Sequence, residues 1–272
     1  MAIDPTARIA STAQIASGAE IGPEVEIGHF CVIEDDVRIG RGSKLEPHVY
    51  VKRWTTMGEE NEVSTGTVLG TDPLDKNFPG DRSYLEIGDR NIIREHYTIS
   101  RGTEPESKTV IGDDNYIMTS GHIAHNCVLG SRNVVASCAL VAGYVEIGDG
   151  AFLSGGVVVH QFSKIGDLAM IGGNTRVNKD VPPFFLYSDF NVTPRGVNVV
   201  GLRRAGFSRA QITNLKSAYR WLFRSAYSIE EALQLIESEL EGDEIQRLVD
   251  FVRGSKRGIC RRSTANRNWS EG

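Results

Sequence analysis

Cysteine is scarce in this sequence: Cys31, Cys127, Cys138 and Cys260 are the only four, and none forms a C-x-x-C pair. A chain of 272 residues has no need of disulfide staples, so the thiols read as reduced and mostly buried. Long apolar runs are missing too, and nothing approaches the roughly 18 residues of a membrane span. The opening "MAIDPTARIA" lacks a charged segment followed by an apolar core, so no signal peptide is expected. No dense Lys/Arg stripe interleaved with aromatics is present, which argues against nucleic acid as a partner. The expectation is a soluble, cytoplasmic chain without an integral membrane segment. Histidine is sparse as well, at six residues, yet two of them fall three apart in "SGHIAHNCVLG", residues 120–130.

The net charge of -5 is unevenly placed. Residues 195–272 carry 14 Lys/Arg against 9 Asp/Glu, whereas residues 1–194 carry 16 against 26. A basic end on an acidic body fits an anionic small molecule or an acidic protein partner.

A repeat dominates the chain. Every sixth residue from Ile3 to Leu69 is Ile, Val, Leu or Met. The phase breaks over 70–86, resumes at Ile87, Ile93 and Ile99, breaks again over about 100–110, and then runs unbroken from Ile111 to Val177. Period six matches neither a helix nor a simple alternating strand. It fits short parallel strands wound as a β-solenoid, with one inward apolar anchor per hexad and a Gly after it to permit the turn. The breaks, "GTDPLDKNFPGDRSYLE" and "SRGTEPESKTV", are polar and read as ejected loops. Paired prolines in "KDVPPFF" end the pattern. Beyond them, capping boxes at Ser208/Gln211 and Ser228/Glu231 start two helices, and a third is expected around Ile245 to Val252, closed by Gly254. The tail from about 263 is expected to be disordered.

These hexads resemble the hexapeptide-repeat family, whose prism-shaped left-handed β-helix spends three hexads per coil. The resemblance supplies the hand, since the rule for parallel crossovers gives the opposite one. The expected architecture is therefore a mainly β left-handed parallel β-helix over 1–190, followed by a helical domain over 191–262.

An 18-residue coil provides a ruler, because residues 18 apart stack at about 4.8 Å. His125, Gly143 and Gln161 then form one column, with His122, Tyr144 and His160 beside it. A Gly stacked on a His brings an unshielded N–H to an imidazole, the pairing that acyl transfer wants: a general base and an oxyanion donor. A zinc site on His122, His125 and His160 competes, but only two residues separate the close pair, and Cys127 is an inward hexad residue. No metal is therefore expected. His29, His48 and His96 have no small or polar company in register and read as core residues.

"HIAHNC", "VHQF", "DVPPF" and "NVTPRGVNVVGLRRAGFS" resemble the UDP-N-acetylglucosamine O-acyltransferase family over almost the whole chain. The resemblance implies a homotrimer with sites between neighbouring rods. It also implies transfer of a 3-hydroxyacyl chain from acyl carrier protein to the sugar 3-position, the first step of lipid A synthesis. No cofactor is implied beyond the carrier's own phosphopantetheine arm. By the same resemblance His125 is the base and Gly143 the oxyanion donor. Asp75, Lys76, His122, Tyr144, His160 and Gln161 line the substrate clefts, and Asn198 and Arg204 the nucleotide end. Gly173, Met170 and Asn191 set acyl length, with Gly173 admitting a longer chain. The related N-acyltransferase usually carries an extra N-terminal uridine-binding domain, and hexads that begin at Ile3 disfavour that reading.

Several positions depart from that family's pattern. Asn126 follows His125 where Asp is usual, so it carries no charge to raise the imidazole's basicity. Tyr144 stands for His, the loop cation is shifted in Asp75-Lys76-Asn77, Val200 replaces Glu, Ala205 replaces Arg, and Asn191 replaces His. A 3-amino sugar therefore stays open as acceptor. An acetyl-CoA-dependent hexapeptide acyltransferase, a γ-type zinc carbonic anhydrase and a non-catalytic solenoid are the competing readings.

Overall fold

The structure, a computed structural model, describes residues 2–261. The tail expected to be disordered lies outside the described residues. The first 27 strands, two to four residues each, are dealt in turn to three parallel sheets, nine to each. The sheets start at Ala2–Ile3, Arg8–Ile9 and Gln14–Ile15 and form the three faces of a left-handed prism. No coil can bury an apolar face alone, so stability comes from stacking.

Within a hexad the anchor and the residue two before it point inward, as the pleat requires. Ile21, Ile27 and Ile33 are buried, and so are Ala19, Val25 and Cys31. Further up, the second inward column turns polar. Asn61, Asn91, Asn115 and Asn133 are buried and linked: each Oδ1 accepts the backbone N–H of the next member, and that of Asn133 accepts from Ala151. A buried polar row is tolerated when its members pair in this way, and only the Asn133 Nδ2 at its end is left without a partner among the described residues.

Strand pairing measures the loops. Most partners are 18 residues apart, as with Ala2 and Glu20, but Thr55 pairs with Leu85 and Tyr84 with Lys108. One coil therefore extrudes 12 additional residues and the next extrudes 6. Both insertions are multiples of six, which is why the apolar phase survives them. Both leave from the same prism edge, where the third sheet hands over to the first. The first, residues 72–83, is pinned by buried Arg101. Its guanidinium donates to Asp72 Oδ1 (2.9 Å), Asp81 O (2.7 Å) and Ser83 Oγ (2.8 Å), and lies over the rings of Trp54 and Phe78.

Two expectations need correction. The Gly after the anchor does not make the turn. Positive φ falls two residues later, and among the described residues 20 non-glycine side chains adopt it, from +53 to +84°. The Gly is there because the next coil's backbone passes over it: a Cβ on Gly40 would sit 2.4 Å from Gly58 O. His29, His48 and His96 are likewise not core residues. They occupy the corners, two or three places past an anchor, and are exposed.

Beyond Val177 the second sheet gains the strands Phe185–Ser188 and, antiparallel to it, Thr193–Val197. Four helices follow among the described residues: α1 (Val199–Arg204), α2 (Arg209–Phe223), α3 (Ile229–Glu239) and α4 (Asp243–Gly254). Both capping boxes form as read, at Ser208/Gln211 and Ser228/Glu231. The short α1, capped by Asn198, is an element that the sequence reading did not anticipate. Phe185 packs edge-on against Tyr219 and Phe223, each 5.5 Å away, and so docks α2 on the solenoid. No helix of the described residues is long and apolar enough to cross a membrane.

The space argument is testable at neighbouring glycines. Gly40→Ala is expected to destabilise by about 1–3 kcal/mol through overpacking. Gly42→Asn, at a φ of +65° that many other corners share, should stay within about 0.5 kcal/mol. Thermal denaturation of the two variants beside the parent decides; equal losses would restore the conformational explanation.

Candidate active site

The 18-residue ruler holds at the site. Tyr144 N–H donates to His125 O (3.0 Å) and Phe162 N–H to Gly143 O (3.1 Å), so His125, Gly143 and Gln161 are successive steps of one corner column. The column lies on the edge from which both loops leave. A Cβ on Gly143 would stand 2.5 Å from His125 Cε1 and 2.7 Å from Nε2, so only glycine leaves room for the imidazole. The Gly143 N–H donates to no acceptor among the described residues. An imidazole and a free backbone donor are thus held together by two rigid coils.

The ring is oriented from the other side. His125 Nδ1 lies 3.0 Å from Asn126 Oδ1. That oxygen also accepts the Thr103 N–H (3.0 Å), while Asn126 Nδ2 donates to Glu104 Oε2 (3.1 Å). Tyr144 stands edge-on to His125 at 5.2 Å, stacks on Phe162 at 4.8 Å, and donates its hydroxyl to Glu104 Oε1. That bond helps hold the Glu104 carboxyl below its ordinary value, while burial and the same carboxylate raise the Tyr144 hydroxyl. Sequence reasoning missed Thr103 and Glu104: they belong to the second loop, where no repeat gives a register.

His122 is on the same coil, in the third sheet, with Nδ1 2.7 Å from Thr98 Oγ1. Its Nε2 is buried without a partner among the described residues, and burial pulls the imidazole below its ordinary value. Cys127 is buried in the interior, its thiol pushed up to about 12 by desolvation. His160 is exposed, with Nδ1 3.0 Å from Gln161 O and 3.3 Å from Arg257 Nη2. A groove of about 370 Å³ beside the column is lined by Asn126, Tyr144, Phe162, Lys164, Lys256 and Arg257, among others.

The other positions are dispersed. Asp75, exposed in the first loop, accepts the Asn77 N–H (2.9 Å) and contributes to the rise at Tyr144; Lys76 is exposed beside it. Asn198 has its side chain committed inside the fold, capping α1 through Gly201 N–H (3.0 Å) and donating to Leu168 O (2.9 Å). Arg204 is exposed at the end of α1. Gly173 lies on the next edge, between the second and third sheets, where a Cβ would come no closer than 3.3 Å to any atom beyond its chain neighbours. Met170 sits in the second sheet just before it, paired with Phe152, and Asn191 bridges to Arg176. The face between the two edges presents His122, Leu140, Val158 and Arg176 outward in register. Leu140 and Val158 are 46% and 43% exposed, an apolar strip between the imidazole and Gly173.

The three-faced prism with its period of six defines a hexapeptide-repeat solenoid. Comparison with known proteins narrows this. Residues 180–260 match the family model described as UDP-N-acetylglucosamine O-acyltransferase, domain 2. The chain is 48% identical over 261 residues to the acyl-[acyl-carrier-protein]–UDP-N-acetylglucosamine O-acyltransferase of Tolumonas auensis, covering 95% of this chain and 99% of that one. It is 44% identical over 236 residues to the protein of the same name from Thermodesulfovibrio yellowstonii, covering 86% and 92%. Among solved structures it resembles the Francisella novicida UDP-N-acetylglucosamine acyltransferase, with a TM-score of 0.85, 36% identity and 96% and 95% coverage. The Bacteroides fragilis enzyme follows at 0.81, 37%, and 95% and 100%. The chain belongs to the UDP-N-acetylglucosamine O-acyltransferase family.

Because burial holds the His122 imidazole below its ordinary value of 6.5, the unfolded chain takes up a proton that the folded chain resists. The resulting stability is complete above pH 6.5 and lost as pH falls through the folded value. Lowering the pH from about 7.5 to about 5.5 should therefore reduce the thermal midpoint less in His122→Gln than in the parent; an equal drop would remove His122 as a source.

Proposed function

We propose that the chain moves a 3-hydroxyacyl group from the phosphopantetheine thioester of acyl carrier protein to the 3-hydroxyl of UDP-N-acetylglucosamine, and that it works in the cytoplasm as a homotrimer. The observation that carries the chemistry is the Gly143 backbone lying over the His125 ring. His125 Nε2 takes the proton of the sugar 3-hydroxyl as its oxygen attacks the thioester carbonyl. The carbonyl oxygen becomes an oxyanion facing the free Gly143 N–H. Collapse expels the carrier thiolate, and the imidazolium returns the proton to it.

Around this step, His122, His160, Gln161, Tyr144 and the loop residues Asp75 and Lys76 are proposed to contact the sugar nucleotide, with Arg204 at its phosphate end. Asn198 is proposed to act there indirectly, by capping α1, the helix that carries Arg204. Gly173, Met170 and Asn191 are proposed to bound the acyl chain along the Leu140–Val158 strip. The acidic carrier suits the exposed cations Arg203, Arg204, Arg209, Lys216 and Arg220 on α1 and α2. A trimer accounts for one feature of the single chain, its half-exposed apolar face.

His125→Ala should lower kcat by about 10² to 10⁴-fold, read as acylated sugar nucleotide by mass spectrometry with the oligomer intact. Near-parental turnover would remove His125 as the base. In the same assay, product from a 3-amino sugar nucleotide but none from the hydroxyl sugar would change the acceptor while leaving the chemistry standing. Gly173→Met should move preference to shorter acyl chains; an unaltered length profile would place the channel end elsewhere.

A further inference from the structure

His125 is backed by hydrogen-bonding groups that end in a carboxylate outside the repeat. The orientation of the Asn126 amide is decided by its neighbours. A backbone N–H, from Thr103 at 3.0 Å, can only donate, so the atom facing it is the oxygen. The NH₂ then faces Glu104 Oε2 at 3.1 Å, where a carboxylate can only accept. The same oxygen lies 3.0 Å from His125 Nδ1, which must therefore carry its proton. The remaining lone pair sits on Nε2, the nitrogen nearest Gly143. Asn126 occupies a left-handed corner with φ +58°, and its N–H is fixed to Thr109 Oγ1 at 2.8 Å, so the amide has little freedom except through its partners.

We propose that Glu104 is a positioning residue for His125: its carboxylate locks the Asn126 amide, which in turn keeps the Nδ1–H tautomer and leaves Nε2 as the proton acceptor. As an anion at the end of the relay, it also favours the imidazolium formed during transfer. This inference rests on His125 being the base. The other charged and titratable groups around the ring are His122 on its own coil, Tyr144 on the next, Asp75 in the first loop, and Arg257 with His160 above. Lys164 is paired with Glu146 at 2.7 Å. Of these, only Tyr144 bonds to the relay itself, by donating to Glu104.

The test is a charge exchange within the relay. Glu104→Gln should lower kcat by about tenfold, the order of one charge-assisted hydrogen bond at a solvent-reached site, with the sugar nucleotide KM little changed. The acidic limb of its kcat/KM pH profile should move to lower pH, because the anion that favours the protonated ring is gone. Asn126→Asp alone should also lose activity, since it sets two carboxylates against each other. Glu104→Gln combined with Asn126→Asp lets the new amide donate to the new carboxylate and should return kcat to within about threefold of the parent, a coupling that independent sites would not show. Circular dichroism and elution volume confirm that each variant is folded and assembled. Glu104→Gln with parental kcat and pH profile, or a double variant no better than either single one, would overturn the proposal. His125→Ala separates the two failures. If it stays active, the base assignment falls; if it is dead while Glu104→Gln is parental, only the relay falls.

Discussion

Everything in this molecule depends on one constraint, the parallel backbone ladder between successive coils. It places equivalent residues about 4.8 Å apart along the rod, and the side chains must live with that spacing. Where two backbones cross, only glycine fits, as at Gly40 under Gly58. Where the interior column turns polar, it can be paired only up and down the axis, which the linked asparagines do. Where a ring lies under a corner, the residue above must yield its side chain, and Gly143 over His125 is that case.

The same ladder governs where variation is allowed. An insertion must bring the chain back with the next anchor pointing inward, or a whole strand turns its apolar residue to water. Insertions of 12 and 6 residues satisfy this, and both are spent on the edge that carries His125. The rod thus keeps its core while one edge acquires the polar material, Asp75 and Lys76 in the first loop and Thr103 and Glu104 in the second, that a bare prism edge lacks.

What could be read from the sequence follows from what is periodic. Anchors, sheet membership and the His125–Gly143–Gln161 column are fixed offsets, so a ruler of 18 reached them. The helix caps at Ser208 and Ser228 were legible because a capping box is local. Three kinds of feature were not. Corner residues such as His48 and His96 carry no sign of exposure, because left-handed corners accept almost any side chain once the ladder enforces them. The Gly that often follows an anchor reads as conformational freedom, when the reason is a neighbouring backbone that one dimension does not show. Glu104 reaches Asn126 from 22 residues away in a segment without register. The absence of a charge at Asn126 was visible; the carboxylate set beside its amide was not.

A rigid ladder has a chemical consequence. The Gly143 N–H cannot swing, because it shares a peptide plane with Ala142 O, which accepts the Cys127 thiol, and the Ala142 and Tyr144 N–H groups on either side of it are tied into bonds between coils. A donor that is fixed before the reaction adds no reorganisation when charge develops on an oxyanion. Rigidity also means that the rod cannot close around a substrate, and in a single chain His125 and Gln161 stay half-buried on their edge, one prism face away from Gly173. Enclosure has to come from parts that are not on the grid: the two loops, pinned by Arg101 and by the Glu104–Asn126–Tyr144 contacts, and, in the trimer proposed above, a neighbouring copy against the Leu140–Val158 strip. That division of labour explains how two of the departures from the family's pattern, Asn126 and Tyr144, can stand at the column's flanks beside His125 and Gly143. A flanking residue can change when a loop residue compensates, as Glu104 does beside Asn126, whereas nothing off the grid can replace a backbone N–H set over an imidazole by two stacked coils.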